Sequence, residues 1–440
     1  GNNMNIKRKI AIAAVPAVMA LASTSVDSKI LLMSQEGWEV SFDGAANAFV
    51  MKNSVSSVPD SRGGLENLAA DTYGGVMGGN DDTSIVTGLL PNVWGMTLKA
   101  PTANGLDVSA RLGLYTHMNG GENSLGNGQI NIRETSGSVA GSFGTVLVGR
   151  SLGIHQSNAI LNDMLLFGVG AAASAGNSNT TLGRIGLGYL YTDFKPQISW
   201  TLPGMDALGG NFGAKVGIFD PDDVHADTTT LSATDKSTPR VEAQITYTGG
   251  VGDLGINLWV DGTYQNTERT EAQASARTTI PAVGNQVMTK VERDTDVDSA
   301  GVGFGTKLSY QGFAIVASGF YGNALGIRGQ RATGAAGNGA LDDVGTERKS
   351  YGGYLQGTYD FGQGTSAGYS YGGNCLKKTG SDMNTVGVMN CQTMHSGMIW
   401  HNVTDNFRLV AEGGYTEKTW YLFDTDQEDS FGGVGAFFFW

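Results

Sequence analysis

Two stretches of the chain carry the spacing of a hydrolytic nucleophile. Gly364-Thr365-Ser366-Ala367-Gly368 and Gly368-Tyr369-Ser370-Tyr371-Gly372 both read Gly-x-Ser-x-Gly, a pattern that activates serine only on a sharp strand-to-helix turn. Both copies lie in one glycine-rich, strand-like run, so no catalysis is expected and the chain does not read as an enzyme. Of the five histidines, His117, His155, His225, His395 and His401, only the last two are near enough to suggest joint ligation. They fall on one strand, about 20 Å apart at ~3.3 Å per residue, too far for one metal. Gly249-Gly250-Val251-Gly252-Asp253 looks like a calcium-binding repeat but occurs once, where such solenoids need several copies; it reads as a turn. Cys375 and Cys391 are the only cysteines. If the chain is exported to an oxidising compartment, a local disulfide between them is expected.

Export is what the first residues suggest. Lys7-Arg8-Lys9 precedes an apolar run from Ile10 to Ala22, the layout of a secretory signal peptide over 1–22. The run is short of the ~20 apolar residues that a spanning helix needs, and no later stretch supplies them. The 440 residues carry 28 basic against 41 acidic side chains, a formal charge of −13, which argues against a nucleic-acid partner. Glycine, at 67 residues, is roughly twice its ordinary share and disfavours helices.

Period-two alternation fills the chain instead. In 37–50, Trp38, Val40, Phe42, Gly44, Ala46 and Ala48 share one face, with Glu39, Ser41, Asp43 and Asn47 on the other; 106–115 and 239–248 split the same way. Sixteen strands are expected at 37–50, 92–100, 106–118, 129–139, 142–150, 183–202, 211–219, 239–248, 254–265, 299–310, 313–325, 349–361, 364–374, 393–403, 406–418 and 430–440. Short links such as Gln311-Gly312 and Thr404-Asp405 take turns with long polar ones at 51–91, 151–182, 266–298, 326–348 and 375–392. That rhythm suits an all-β, antiparallel transmembrane β-barrel with tight periplasmic turns and long outer loops. Only a closed sheet leaves no unpaired edge in hydrocarbon.

Gly141-Ser142-Phe143-Gly144-Thr145-Val146-Leu147-Val148-Gly149-Arg150, with Arg133 upstream, the restart Gly183-Arg184-Ile185-Gly186 and the terminal Phe438-Phe439-Trp440, resembles the Gram-negative trimeric porins. The resemblance covers the mature chain, 23–440. It implies a 16-stranded outer-membrane barrel assembled as a homotrimer, with an inward-folded third loop at 151–182 that narrows a water-filled channel. The loop lacks the Pro-Glu-Phe-Gly-Gly signature of enterobacterial porins, and the last residue is Trp where Phe is commoner. Its stretch Ala159-Ile160-Leu161-Asn162-Asp163-Met164-Leu165-Leu166-Phe167 is apolar enough to be buried against a wall.

Sixteen strands enclose water, so the expected function is passive diffusion of small hydrophilic solutes and ions. Charges at the narrowest point then set preference. Lys99, Arg111 and Arg133 on neighbouring strands, with Arg150 and Arg184 flanking the loop, form an expected basic wall facing Asp163, with Asp193 or Glu134 near it. That predicts a mild anion preference. Against it stand the acidic runs Asp220-Pro221-Asp222-Asp223, Asp294/Asp296/Asp298 and Asp424/Asp426/Glu428/Asp429, which read as solvated outer loops that could equally attract cations or bind Ca²⁺ between lipopolysaccharide groups; no other cofactor is implied. Expected partners are outer-membrane lipid and lipopolysaccharide. The alternative is a structural or adhesive barrel whose outer loops bind a partner over a plugged lumen.

Overall fold

A computed structural model describes residues 29–56, 81–118, 129–171, 180–226, 232–274, 295–331, 339–342, 344–384, 388–421 and 426–440; the expected signal peptide at 1–22 lies outside them. Alternation builds the strand segments β1 (Ile30–Gln35), β2 (Trp38–Val55), β3 (Asp81–Val86), β4 (Asn92–Lys99), β5 (Asp107–His117), β6 (Gln129–Gly141), β7 (Gly144–Leu152), β8 (Phe194–Thr201), β9 (Met205–Ala207), β10 (Gly210–Phe219), β11 (Arg240–Val251), β12 (Leu254–Glu268), β13 (Asp296–Tyr310), β14 (Phe313–Asn323), β15 (Lys349–Gly362), β16 (Thr365–Lys377), β17 (Met389–Thr404), β18 (Phe407–Trp420) and β19 (Gln427–Phe439).

All ladders are antiparallel, and β19 returns to pair with β2, Val434 opposite Val50, so the sheet closes on itself. Two staves are interrupted. β3 pairs with the upper part of β2 and β4 with its lower part, while β8 and β9 both pair with β10. β1 is not a stave. It folds back on Trp38–Phe42 in line with the end of β19, whose own pairing with β2 begins at Ala45. The result is a closed barrel of 16 staves.

The two faces of the wall are inverted relative to a water-soluble protein. Val148, Ile198, Trp200, Val260, Ile315, Leu355 and Val434 are exposed on the outside, while Gln197, Ser199, Glu242, Asp261, Gln356, Ser370, Asn374 and Ser396 are buried on the inside. One end is closed by tight turns. Leu208–Gly209 and Gln311–Gly312 hold φ of 53° and 76°, and of 45° and 87°, the doubly positive geometry whose twist matches the flanking strands.

Two expected strands are corrected. The stretch expected as 183–202 is extended only in β8. Gly183 and Gly186 take positive φ, and Ile185 and Leu187 donate backbone bonds to Leu182 and Arg184, so the chain turns instead of extending. The stave expected at 92–100 also includes β3, with 87–91 breaking out between the halves. The inward segment therefore continues past 182 to Asp193.

The main apolar cluster lies inside the barrel. Helix α1 (Ser157–Leu161) and the 3₁₀ turn Met164–Phe167 carry Ala159, Leu165 and Leu166, and the chain just beyond them Val169, into one cluster with Phe49, Met51, Met394, Met398 and Phe437 of the wall. This burial accounts for the apolar composition of the segment.

Candidate functional site

The inward segment has little sheet pairing of its own, yet it is buried, so its backbone N–H groups must find other partners. Inward side chains of the wall supply them. Glu242 Oε2 on β11 accepts from Ile154 N at 2.7 Å and His155 N at 3.0 Å. Asp261 Oδ1 on β12 accepts from Gln156 N at 3.1 Å and from His155 Nδ1 at 2.6 Å. Gln356 on β15 accepts from Met164 N at 2.8 Å and donates to Asn162 O at 3.1 Å. Glu412 on β18 accepts from Val169 N at 2.7 Å, Gly170 N at 2.9 Å and Ser396 Oγ at 2.9 Å. Tyr354 and Gln392 donate to Ala159 O and Gly186 O. The segment is thus tied to widely separated staves. Bonds to ionised acceptors are each worth about 1.5–3 kcal/mol, so the ties fix its path across the lumen. Of these anchors, Glu242 was visible as an inward residue by alternation; what it would hold was not.

The expected basic wall is only partly assembled. Arg111 faces inward but is neutralised: it bonds Asp43 at 2.9 Å and Glu134 at 3.1 Å, both buried. Arg133 is the extra residue of a bulge, since Gly113 opposes Glu134 while Leu114 opposes Ile132. A bulge re-aims side chains, which lets both Arg133 and Glu134 point inward. The Arg133 guanidinium lies 5.3 Å from the Tyr115 ring centre and 5.9 Å from that of Phe194, and donates to Tyr191 OH. Lys99 stands opposite Ser109, two residues below Thr97, which accepts a bond from Arg111.

Arg150 and Arg184 do not join that wall. β7 runs on to Leu152, so Arg150 stays on the ladder opposite Thr135 and Pro196, on the register face of Val148 and Ile198, which are exposed outside. Arg184 is fully buried on the far wall, donating to Leu187 O and Met394 O at 3.1 Å and to Ser370 Oγ, with Tyr354 beneath it. Asp163 is buried too, accepting from Leu165 N at 3.0 Å and Tyr189 OH at 2.7 Å. Burial pushes its carboxyl above the ordinary range, opposed by the charge of Arg184.

Other cations face the lumen that the sequence reasoning missed. By alternation Lys215 shares the face of buried Phe219, and Lys307 that of buried Ser299. Arg408 shares the face of Glu412, donates to Asn402 Oδ1 at 2.7 Å and lies over Phe167 and Phe439 at 5.2 and 5.3 Å. Lys99, Arg133, Lys215, Lys307 and Arg408 form no ion pair among the described residues. Of the inward carboxylates, Asp43 and Glu134 share Arg111, Glu242 meets Arg240 and loop amides, Asp261 meets His155 and Glu412 meets loop amides, while Glu39, Asp107, Asp360 and Asp429, nearer the strand ends, form no ion pair among the described residues.

The acidic run at 220–223 is not simply solvated. Asp222 pairs with Lys195 and, at 2.7 Å, with Arg240, and Asp223 pairs with Lys236 at 2.9 Å. Burial would raise the Asp222 carboxyl, but these cations outweigh it and hold it below its ordinary value. Asp294 and Asp424 lie outside the described residues. No group of three or more potential metal ligands occurs among the described residues. Cys375 and Cys391 are directly opposed on β16 and β17 and joined by a disulfide. Ser366 and Ser370 lie within β16, with no strand-to-helix elbow, and Ser370 Oγ is taken by Arg184.

The sequence matches the family described as Gram-negative porin over residues 10–418. No curated protein matches it. Among solved structures, the outer membrane channel DcaP of Acinetobacter baumannii superposes with a TM-score of 0.60 at 15% identity, over 93% of this chain and 99% of that one. The anion-selective porin from Comamonas acidovorans gives 0.57 at 14% identity, over 92% and 100%. The trimer form of OmpT, an outer membrane protein of Vibrio cholerae, gives 0.50 at 14%, over 92% and 100%. At these identities the likenesses establish the fold.

Proposed function

The chain belongs to the Gram-negative porin family and is an outer-membrane channel for passive diffusion; on that footing we propose that it prefers small anionic solutes and acts as a homotrimer seated among outer-membrane lipid and lipopolysaccharide. The observation that carries the preference is the imbalance of free charge in the lumen. Five inward cations, Lys99, Arg133, Lys215, Lys307 and Arg408, form no ion pair among the described residues, whereas the carboxylates beside Arg111 and the inward segment are engaged by cations or by loop amides. In a narrow channel with low-dielectric walls, such an excess favours the counter-ion. The expected role of Arg111, Arg150 and Arg184 passes to this different set, and the described residues 153–171 and 180–193, not 151–182 alone, form the constriction. Two of the solved structures similar in fold carry descriptions in keeping with this reading, one as anion-selective and one as a trimer.

The test is the reversal potential of a planar bilayer containing the protein, with unequal KCl on its two sides. The polarity set by chloride is expected, moving toward zero in Arg133→Gln and Lys307→Gln. A potential of the polarity set by potassium refutes the reading. Chemical cross-linking that stops at a single chain in the detergent-extracted protein refutes the trimer.

A further inference from the structure

At the long-loop end of the barrel, Lys349 and Lys377 stand directly opposite each other on β15 and β16. Like charges at directly opposed positions repel, and neither lysine forms an ion pair among the described residues. Both side chains belong to the outward face. Lys349 precedes Tyr351 on its face and Lys377 follows Tyr371 on its own, and both tyrosines are exposed on the outside. The Lys377 ammonium leans over the rings of Tyr351 and Tyr321, 5.6 Å from each centre. Next to it Lys378 lies 5.2 Å from the ring of Tyr421. A strongly acidic chain thus gathers three lysines at one outward rim.

The depth of this cluster identifies what it meets. On β15 the outward positions run Lys349, Tyr351, Gly353, Leu355, Gly357, Tyr359. Tyr351 and Tyr359 are eight residues apart, about 27 Å along the strand at ~3.4 Å per residue. At a tilt of about 35–45° that is roughly 20 Å along the membrane normal, close to the apolar band that aromatic girdles flank. Lys349 and Lys377 therefore lie one step beyond the upper girdle, at headgroup depth. Lipid acyl chains cannot satisfy them, and no carboxylate among the described residues does.

We propose that Lys349 and Lys377, with Lys378 beside them, form a seat for a phosphate group of an outer-leaflet glycolipid. A phosphate between two ammonium groups would turn their mutual repulsion into paired charge-assisted bonds, while the tyrosine rings hold Lys377 in place from below. The inference rests on the outer-membrane placement above, in which the long-loop end faces outward, and it gives the expected lipopolysaccharide contact a defined location on the wall instead of in the acidic loops.

Native mass spectrometry of the detergent-extracted full chain tests it, with doubly phosphorylated lipid A and its dephosphorylated form as probes. The phosphorylated probe is expected to bind about tenfold more strongly than the other, and Lys349→Gln with Lys377→Gln to remove that advantage, while Lys349→Arg with Lys377→Arg keeps it. Equal retention of the phosphorylated probe by the glutamine variant overturns the proposal. Complete displacement by inorganic phosphate alone overturns the lipid as its source. Bilayer conductance of the same preparations reports on folding and on the channel reading separately, because both lysines lie outside the lumen.

Discussion

Replacing Glu412 with glutamine should loosen one end of the inward segment while leaving the barrel intact. The carboxylate receives Val169 N, Gly170 N and Ser396 Oγ within 2.9 Å. Glutamine has nearly the same shape but keeps one acceptor oxygen and turns an amide N–H₂ toward the other donor. One charge-assisted bond is lost and one buried N–H is left facing a donor, which together cost about 2–3 kcal/mol. That corresponds to a roughly 30- to 140-fold shift in the local opening equilibrium. Hydrogen–deuterium exchange read by mass spectrometry should show this increase in the peptide that holds Val169 and Gly170. The peptide holding Ile154 to Gln156 should stay protected, because its acceptors are Glu242 and Asp261. In planar bilayers the same variant should show more frequent current fluctuations at unchanged unfolding temperature. Unchanged exchange at Val169 and Gly170, or an equal rise throughout the segment, would refute the idea that separate wall residues tie separate parts of it.

Arg111→Gln strands Asp43 and Glu134 as unpaired buried carboxylates, so a loss of about 3–5 kcal/mol is expected in denaturant unfolding, with a reversal potential displaced toward cations; a neutral substitution on both counts contradicts the neutralised-triad reading. Cys375→Ser combined with Cys391→Ser opens a link between residues 16 apart and should lower stability by about 3 kcal/mol on the chain-entropy estimate, yet leave conductance unchanged, because the β16–β17 ladder continues below the bridge. Acidification should loosen the outer cluster around Asp222. Its folded pKa is depressed by Lys195 and Arg240, so its stabilisation is complete above the ordinary value of 3.8 and is lost as pH falls through the lower folded value. Exchange at residues 220–226 that rises on acidification in the wild type, but not in Asp222→Asn, is the expected result.

How much of this was legible in advance differs from one residue to the next. Trp38, Val40 and Phe42 alternating with Glu39, Ser41 and Asp43 announced a wall with one oily face and one wet face, because a strand's period is local and hydrocarbon demands apolar contact along its whole depth. Repetition of that signal, with short and long links in turn, was enough for the closed all-β barrel of 16 staves, and the apolar stretch from Ala159 to Phe167 pointed to a loop that needs cover. The charged site was much less legible. Arg133 turns inward through a bulge that alternation does not reveal, and Arg150 turns outward because β7 continues past it. Arg111 is neutralised by Asp43, 68 residues away, and the inward segment is tied by Glu412, 243 residues from Val169. Such meetings follow from which staves face one another after closure, and no local pattern encodes them. The amino-acid order thus determined the cylinder and the polarity of its two faces, through sterics and solvation acting a few residues at a time. Only the closed structure decided which charges in the lumen are cancelled and which are left free, because Coulomb pairing depends on distances that exist only once the ends of the sheet have met.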